Sequence, residues 1–248
     1  MTETVVVVGA TGEMGRVICE QLLAADYDVL AVARNAEALA ALAEQLSGLR
    51  ICRADIAEDD AAQAISIQLI HPVRAVIHGP GVPTAGGIAT APTAALLEAT
   101  NIKVGGFVRL VRAAEPHLQA GSRLIAIGGH YGFEPTAYAA TAGVANAALA
   151  NLIRQYSWVM GPKGITAHLI APGPADTPRL RRVAQSRAEQ SGRSAEEVLE
   201  EMCAESAIGQ LTSVESVAWA VMTLLHPHAD ALAGGTLFMD SGRRHGLP

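Results

Sequence analysis

A doubly wound α/β domain built on a parallel sheet is the fold this sequence predicts, and three observations predict it. Short aliphatic runs rich in β-branched residues alternate with longer helical patterns along the whole chain. A glycine-rich loop follows the first of these runs at once. Half of the 248 residues are hydrophobic and only 17% are charged, which is enough apolar material for one sizeable core. Neighbouring parallel strands need a crossover between them, and the strand–helix alternation supplies it.

The elements follow in order. The valine run at 5–8 suits a strand buried on both faces. A helical pattern covers 15–25, with Val17, Ile18, Leu22 and Leu23 on one stripe. A strand at 29–33 precedes an Ala/Leu-rich helix at 36–46. Next come a strand near 50–53, a helix near 59–70 and a strand at 73–78. A Gly/Pro loop at 79–87 leads into a long helix over 93–118. The fifth strand is expected at 123–127, a fifth helix at 139–160 and the sixth strand at 166–171. A helix at 214–225 and a strand at 236–239 complete the chain. Seven strands in one progression leave no place for a boundary, so a single domain over 1–248 with strand order 3-2-1-4-5-6-7 is expected. The irregular stretch is 178–206, polar and charged. Ligands of such sheets bind beyond the carboxyl ends of the strands, so an insertion there is expected to act as a substrate lid. Whether its Arg179 or Arg182 reaches an acidic substrate, or the segment is simply solvated, stays open.

Composition narrows the function classes. Eighteen basic against 24 acidic side chains leave a net charge of −6, which argues against nucleic-acid or anionic-membrane partners. Only two of the basic residues are lysines, Lys103 and Lys163. Cys19, Cys52 and Cys203 are far apart and form no CxxC, so neither a disulfide framework nor a zinc site is expected. No apolar run reaches the ~18 residues of a membrane span, and the first residues lack the basic segment of a signal peptide. The expectation is a cytoplasmic protein that binds a small molecule.

Gly9-Ala10-Thr11-Gly12-Glu13-Met14-Gly15 lies between the first strand and the first helix. Glycines there let the backbone approach a pyrophosphate, while the helix N-terminus offers free N–H groups and positive dipole. Gly9, Thr11, Gly12, Glu13, Met14 and Gly15 are therefore candidate dinucleotide contacts, with Glu13 tolerable only if it points to solvent. Arg34 follows the second strand, where an acid would accept from an adenosine ribose. An arginine pairs instead with a 2′-phosphate, which favours NADP(H) over NAD(H).

Further segments complete a pattern: Asp55-Ile56 after the third strand, His78-Gly79-Pro80-Gly81 after the fourth, Asn101 in the long helix, Pro172-Gly173-Pro174-Ala175-Asp176-Thr177 after the sixth strand, and the closing stretch Gly234-Gly235-Thr236-Leu237-Phe238-Met239-Asp240-Ser241-Gly242. With the glycine loop, these resemble the short-chain dehydrogenases/reductases over nearly the whole chain. The resemblance implies that Asp55 and Ile56 contact adenine, and that Gly79, Pro80 and Gly81 form the turn beside the cofactor. It further implies that Pro172, Gly173, Ala175 and Thr177 hold the nicotinamide end and that Asn101 supports a water relay. It also implies a homo-oligomer, a tetramer or dimer, joined through the fourth and fifth helices and the last strand.

The resemblance fails at the catalytic positions. The family uses a Tyr-x-x-x-Lys on the fifth helix with a serine at the end of the fifth strand. Here Tyr138 takes the tyrosine position, Ala142 stands four residues on, and Gly129 aligns with the serine. Lys103 lies two residues from Asn101 and is expected on a different helix face, while Lys163 falls in a distant loop. An unassisted tyrosine ionises near 10, about three units above neutrality. His130, which ordinarily titrates near neutrality, and Asn101 are the expected helpers of Tyr138, with Tyr131 as a pocket wall. The leading reading is an NADP(H)-dependent oxidoreductase with an altered catalytic set. A non-redox cyclase, dehydratase or isomerase on the same scaffold, and a cofactor-binding protein without catalysis, remain open.

Overall fold

The computed structural model describes residues 3–83 and 86–246, so residues 84 and 85 of the expected Gly/Pro loop lie outside the described residues. Seven strands form one parallel sheet: β1 (Thr4–Val8), β2 (Asp28–Ala33), β3 (Arg50–Arg53), β4 (Val73–His78), β5 (Leu118–Ile127), β6 (Thr166–Pro172) and β7 (Thr236–Met239). Their order is β3-β2-β1-β4-β5-β6-β7, as the alternation predicts. All five residues of β1 are buried, because helices cover both faces of the sheet.

Two packed layers do the covering. Helices α1 (Glu13–Ala24), α2 (Ala36–Gln45) and α9 (Val214–Leu224) bury Ile18, Leu22, Leu39, Val217 and Val221 against one face. On the other face lie α3 (Asp60–Ser66), α5 (Gly106–Ala114) and α6 (Ala140–Met160), with Ile65, Phe107, Leu110, Leu149 and Ile153 in the core. Ahead of α5 runs α4 (Thr93–Thr100), and a π-helical turn at Asn101–Gly105 joins the two. The expected long helix thus carries an extra residue in its winding, and it ends at Ala114 rather than 118. Pro116 tightens the last turn to 3-10 form.

The stretch 178–206 is more ordered than its polarity suggests. It folds into α7 (Pro178–Ser191) and α8 (Ala195–Ala204). Thr177 caps α7 through Leu180 N at 3.3 Å. Ser194 and Glu197 form a reciprocal capping box at the start of α8. Ala184, Ala188, Val198 and Met202 make a small core between the two helices. Among the described residues, no helix is long and apolar enough to cross a membrane.

Candidate active site

At the carboxyl ends of β1, β4, β5 and β6 lies a cavity of about 580 Å³, the size of a small-molecule site. Its floor begins with the glycine loop. Gly9 has φ +84°, and a Cβ there would press on the backbone of Gly79 and Pro80 at 3.0 Å. Gly15 sits so close to β1 that a Cβ would come within 2.3 Å of the Gly9 carbonyl oxygen. These two glycines are therefore required by the fold itself. Gly12 is not: its Cβ would meet only the Gly9 oxygen, at 3.4 Å. As the residue before α1, Gly12 offers no side-chain cap, so the first-turn N–H groups of α1 stay available at the cavity wall. Glu13 is exposed. Gly12 and the first-turn N–H groups of α1 thus form a bare cradle in the cavity wall, a geometry of the kind that can accept an anion.

Of the expected cofactor contacts, Gly9, Thr11, Gly12, Glu13, Met14, Gly15, Gly79, Pro80, Gly81, Pro172, Gly173, Ala175 and Thr177 all line this one cavity. Arg34 and Asp55 share a neighbouring depression with Arg53. Arg53, unremarked in the sequence, adds a second guanidinium beside Arg34. Ile56 lies apart from both, 5% exposed in the core, against the spot where a Gly106 Cβ would stand.

The catalytic candidates are placed less evenly. Tyr138 and His130 line the cavity, but Asn101 does not. The Asn101 amide donates to the Ala57 carbonyl at 2.8 Å, and its oxygen accepts from Arg109 at 2.9 Å. Arg109 also holds Asp59 at 2.7 Å. Asn101 thus braces the loop after β3, at the Arg34 end of the site. Successive residues of a helix turn by about 100°, so Asn101 and Lys103 do point apart; the cavity receives the lysine. Lys103 is 5% exposed and its ammonium donates to the Ile127 carbonyl at 2.7 Å. Burial and the Arg179 guanidinium push its pKa down to about 7. A signal for this was present in the sequence, since the buried stripe Phe107, Leu110, Val111 and Ala114 continues back by four residues onto Lys103.

Tyr138 precedes α6 instead of riding on it. The α6 side chains that line the cavity are Thr141, Ala142 and Asn146. Ala142 and Asn146 are four apart, one turn along the same face, so a tyrosine–lysine pair at that spacing would stand there. Asn146 is 4% exposed, and its amide oxygen has no hydrogen-bond partner among the described residues. Gly128 and Gly129 lie beside it, and a Cβ on Gly129 would meet the Asn146 amide nitrogen at 2.8 Å. The Tyr138 hydroxyl pairs with that of Tyr131 at 3.0 Å. Burial and this pairing raise the Tyr131 pKa well above its ordinary value. His130 does not titrate near neutrality as expected: burial and then Arg243 hold it down to about 4, so the ring is neutral and its bond to the Pro172 carbonyl fixes the loop.

From above, α7 and α8 close over the site. Pro178, Arg179, Leu180, Arg182, Val183 and Met202 face the cavity. Arg179 reaches over Gly81 to donate to the Val82 carbonyl at 2.5 Å. The Arg187 guanidinium lies 4.4 Å from the centre of the Tyr138 ring, a cation–π contact. Arg243 ties α8 down through the Met202 carbonyl at 2.7 Å.

Comparison with known proteins follows the same outline. A family model described as enoyl-(acyl carrier protein) reductase matches residues 9–244. An uncharacterized oxidoreductase of Bacillus subtilis (strain 168), YmfI, is 25% identical over 250 residues, covering 98% of this chain and 99% of that protein. Among solved structures, an actinorhodin polyketide ketoreductase with NADPH superposes with a TM-score of 0.91 at 21% identity, covering 99% of this chain and 98% of that one. A short-chain oxidoreductase from Pseudomonas aeruginosa PAO1, bound to NADPH and described as containing an atypical catalytic center, gives 0.86 at 20% identity, with 99% and 98% covered.

Proposed function

The chain belongs to the short-chain dehydrogenase/reductase family of oxidoreductases, and on that premise we propose that it is an NADP(H)-dependent oxidoreductase of a small organic carbonyl or hydroxyl compound. The observation that carries this is the cradle around Gly12, whose missing side chain the fold does not require. Gly9, Gly12 and the first turn of α1 would hold the pyrophosphate, and Pro172 to Thr177 the nicotinamide end. Bound there, the nicotinamide supplies a hydride. The 2′-phosphate falls to Arg34 and Arg53, which share the outer depression. Relatives of this fold bound to NADPH support the same preference. Arg34→Ser is expected to weaken NADPH binding about tenfold, the loss of roughly 1.4 kcal/mol for an exposed charge-assisted contact, and to leave NADH binding unchanged. Fluorescence titration with both cofactors checks it, and an equal loss for the two would remove Arg34 from the phosphate site.

The substrate enters between Tyr138 and α7–α8, which act as its lid. Tyr138, paired with Tyr131, is placed to donate a hydrogen bond to the substrate oxygen. For Tyr138→Phe the expected result is a KM raised roughly tenfold, the value of one hydrogen bond of about 1–1.5 kcal/mol. An unchanged KM would limit Tyr138 to its contacts with Tyr131 and Arg187. NADPH consumption over a panel of ketones and quinones tests the function as a whole; tight NADPH binding without consumption by any of them rejects it. A second reading, non-redox cyclisation, dehydration or isomerisation, is favoured by the absence of a hydroxyl at Gly129 and Ala142. Product formed with no change in NADPH absorbance would select it.

A further inference from the structure

We propose that Lys103 is the acid–base residue of the cavity: its ammonium gives a proton to the substrate oxygen in reduction, and its free amine takes one from the hydroxyl in oxidation. This rests on the oxidoreductase reading and deepens it. Three observations concern the same cavity. The amine that α6 does not supply at Ala142 or Asn146 comes from the neighbouring helix, where the π-helical turn at Asn101–Gly105 carries Lys103 into the cavity. Its nitrogen is anchored on the Ile127 carbonyl at 2.7 Å, next to Gly128 and Gly129, which line the same cavity. Beside these glycines the Asn146 amide oxygen is buried without a partner among the described residues, an acceptor that a substrate hydroxyl would satisfy.

Charge around the amine favours exchange. Facing the same space are Glu13 of α1, Arg179 and Arg182 of α7, and His130, Tyr131 and Tyr138 of the loop after β5, while His78 of β4 lies buried behind Lys103, close enough for their charges to interact. Glu13 is the one carboxylate among the described lining residues and is exposed, so no buried anion pins the proton on Lys103. Burial and Arg179 bring its pKa down to about 7, where ammonium and amine are both populated at neutral pH. In reduction, the carbonyl carbon gains hydride and the carbonyl oxygen gains the Lys103 proton. The product is the alcohol, the lysine is left as the neutral amine, and solvent restores its proton.

The scarcity of lysine makes the test direct. Protein labelled with ¹³C and ¹⁵N only at lysine gives two side-chain signals, from Lys103 and Lys163, and Lys163→Arg identifies them by elimination. The expected result is a Lys103 signal with a midpoint near 7 and a reductive kcat that falls tenfold per pH unit above the same midpoint. Lys103→Met is expected to lower kcat by at least about a hundredfold, the usual contribution of a general acid, with NADPH affinity kept within about threefold. A Lys103 signal that stays charged to about pH 9 overturns the proposal, and so does a Lys103→Met enzyme with the wild-type kcat and pH profile. If Lys103→Met does not fold, the wild-type titration and its match to the kcat midpoint decide. A wild-type protein whose Lys103 titrates near 7 but which reduces no carbonyl rejects the oxidoreductase reading and upholds Lys103 as the titrating group of the site.

Discussion

Below about pH 6 the protein is expected to lose stability steeply and to unfold by about pH 4. His78, His130 and His168 are all buried within the fold. Burial holds His78 down to about 3 and His130 and His168 down to about 4, whereas an unfolded histidine titrates near 6.5. The folded chain therefore keeps all three rings neutral while the unfolded chain takes up protons. The stability each ring contributes is fully present above the unfolded value and is lost as pH falls from 6.5 toward its folded value. Each costs about 1.4 kcal/mol per pH unit in that window, so together they remove about 4. Two such units remove about 8 kcal/mol, more than a domain near the lower end of the ordinary range of about 5–15 kcal/mol holds. Urea midpoints measured from pH 8 to pH 4.5 would show this, with close to three protons taken up on unfolding near pH 5. An uptake below one proton would mean that the rings are charged in the fold. Lys103 acts in a higher window. Its depressed pKa makes it destabilising between about 10.4 and 7 and level below that.

Gly15→Ala and Gly12→Ala are expected to separate folding from binding, although both glycines belong to the same loop. A methyl on Gly15 would lie 2.3 Å from the Gly9 oxygen and 2.7 Å from the Ala10 Cα. Both are backbone atoms and cannot rotate aside, so α1 must move off β1. The expected loss is about 3 kcal/mol, well above the roughly 1 kcal/mol that alanine gains over glycine in a helix. Gly12→Ala meets only the Gly9 oxygen at ordinary contact distance. It should stay within about 0.5 kcal/mol of the parent and yet bind NADPH at least about tenfold more weakly. Thermal melts beside cofactor titrations check both variants. Undiminished binding by Gly12→Ala would show that no ligand approaches this loop.

The strand order and the glycine loop were legible because each depends on local pattern: apolar runs of strand length, helical stripes between them, and glycines at one turn. The Gly12 argument was not, since only the packed loop separates a glycine the fold needs from one it does not. The place of Lys103 was hidden for a similar reason. Spacing correctly sets Asn101 and Lys103 on different faces, and the buried stripe running back from Phe107 marks the lysine's face as the inner one, but that this face opens into the site emerges only in the packed fold. Tyr138 and Arg187 are 49 positions apart in sequence and meet only because α7 folds back over the cavity. His130 reads as a proton donor by type, and only the packed fold shows that burial lowers its pKa to about 4. The capping box Ser194–Glu197 could have revealed α8 in what reads as an irregular polar stretch.

The small core shared by α7 and α8 has a consequence for how this enzyme diversifies. Its apolar contacts lie within the helical pair, separate from the two layers that hold the sheet. Leu180 and Val183 border both this small core and the cavity, so a change at either reshapes the cavity wall without touching the layers that hold the sheet. The packing of the helical pair is thus separate from that of the sheet, while Arg179 and Arg187 tie its cavity face to Lys103 and Tyr138.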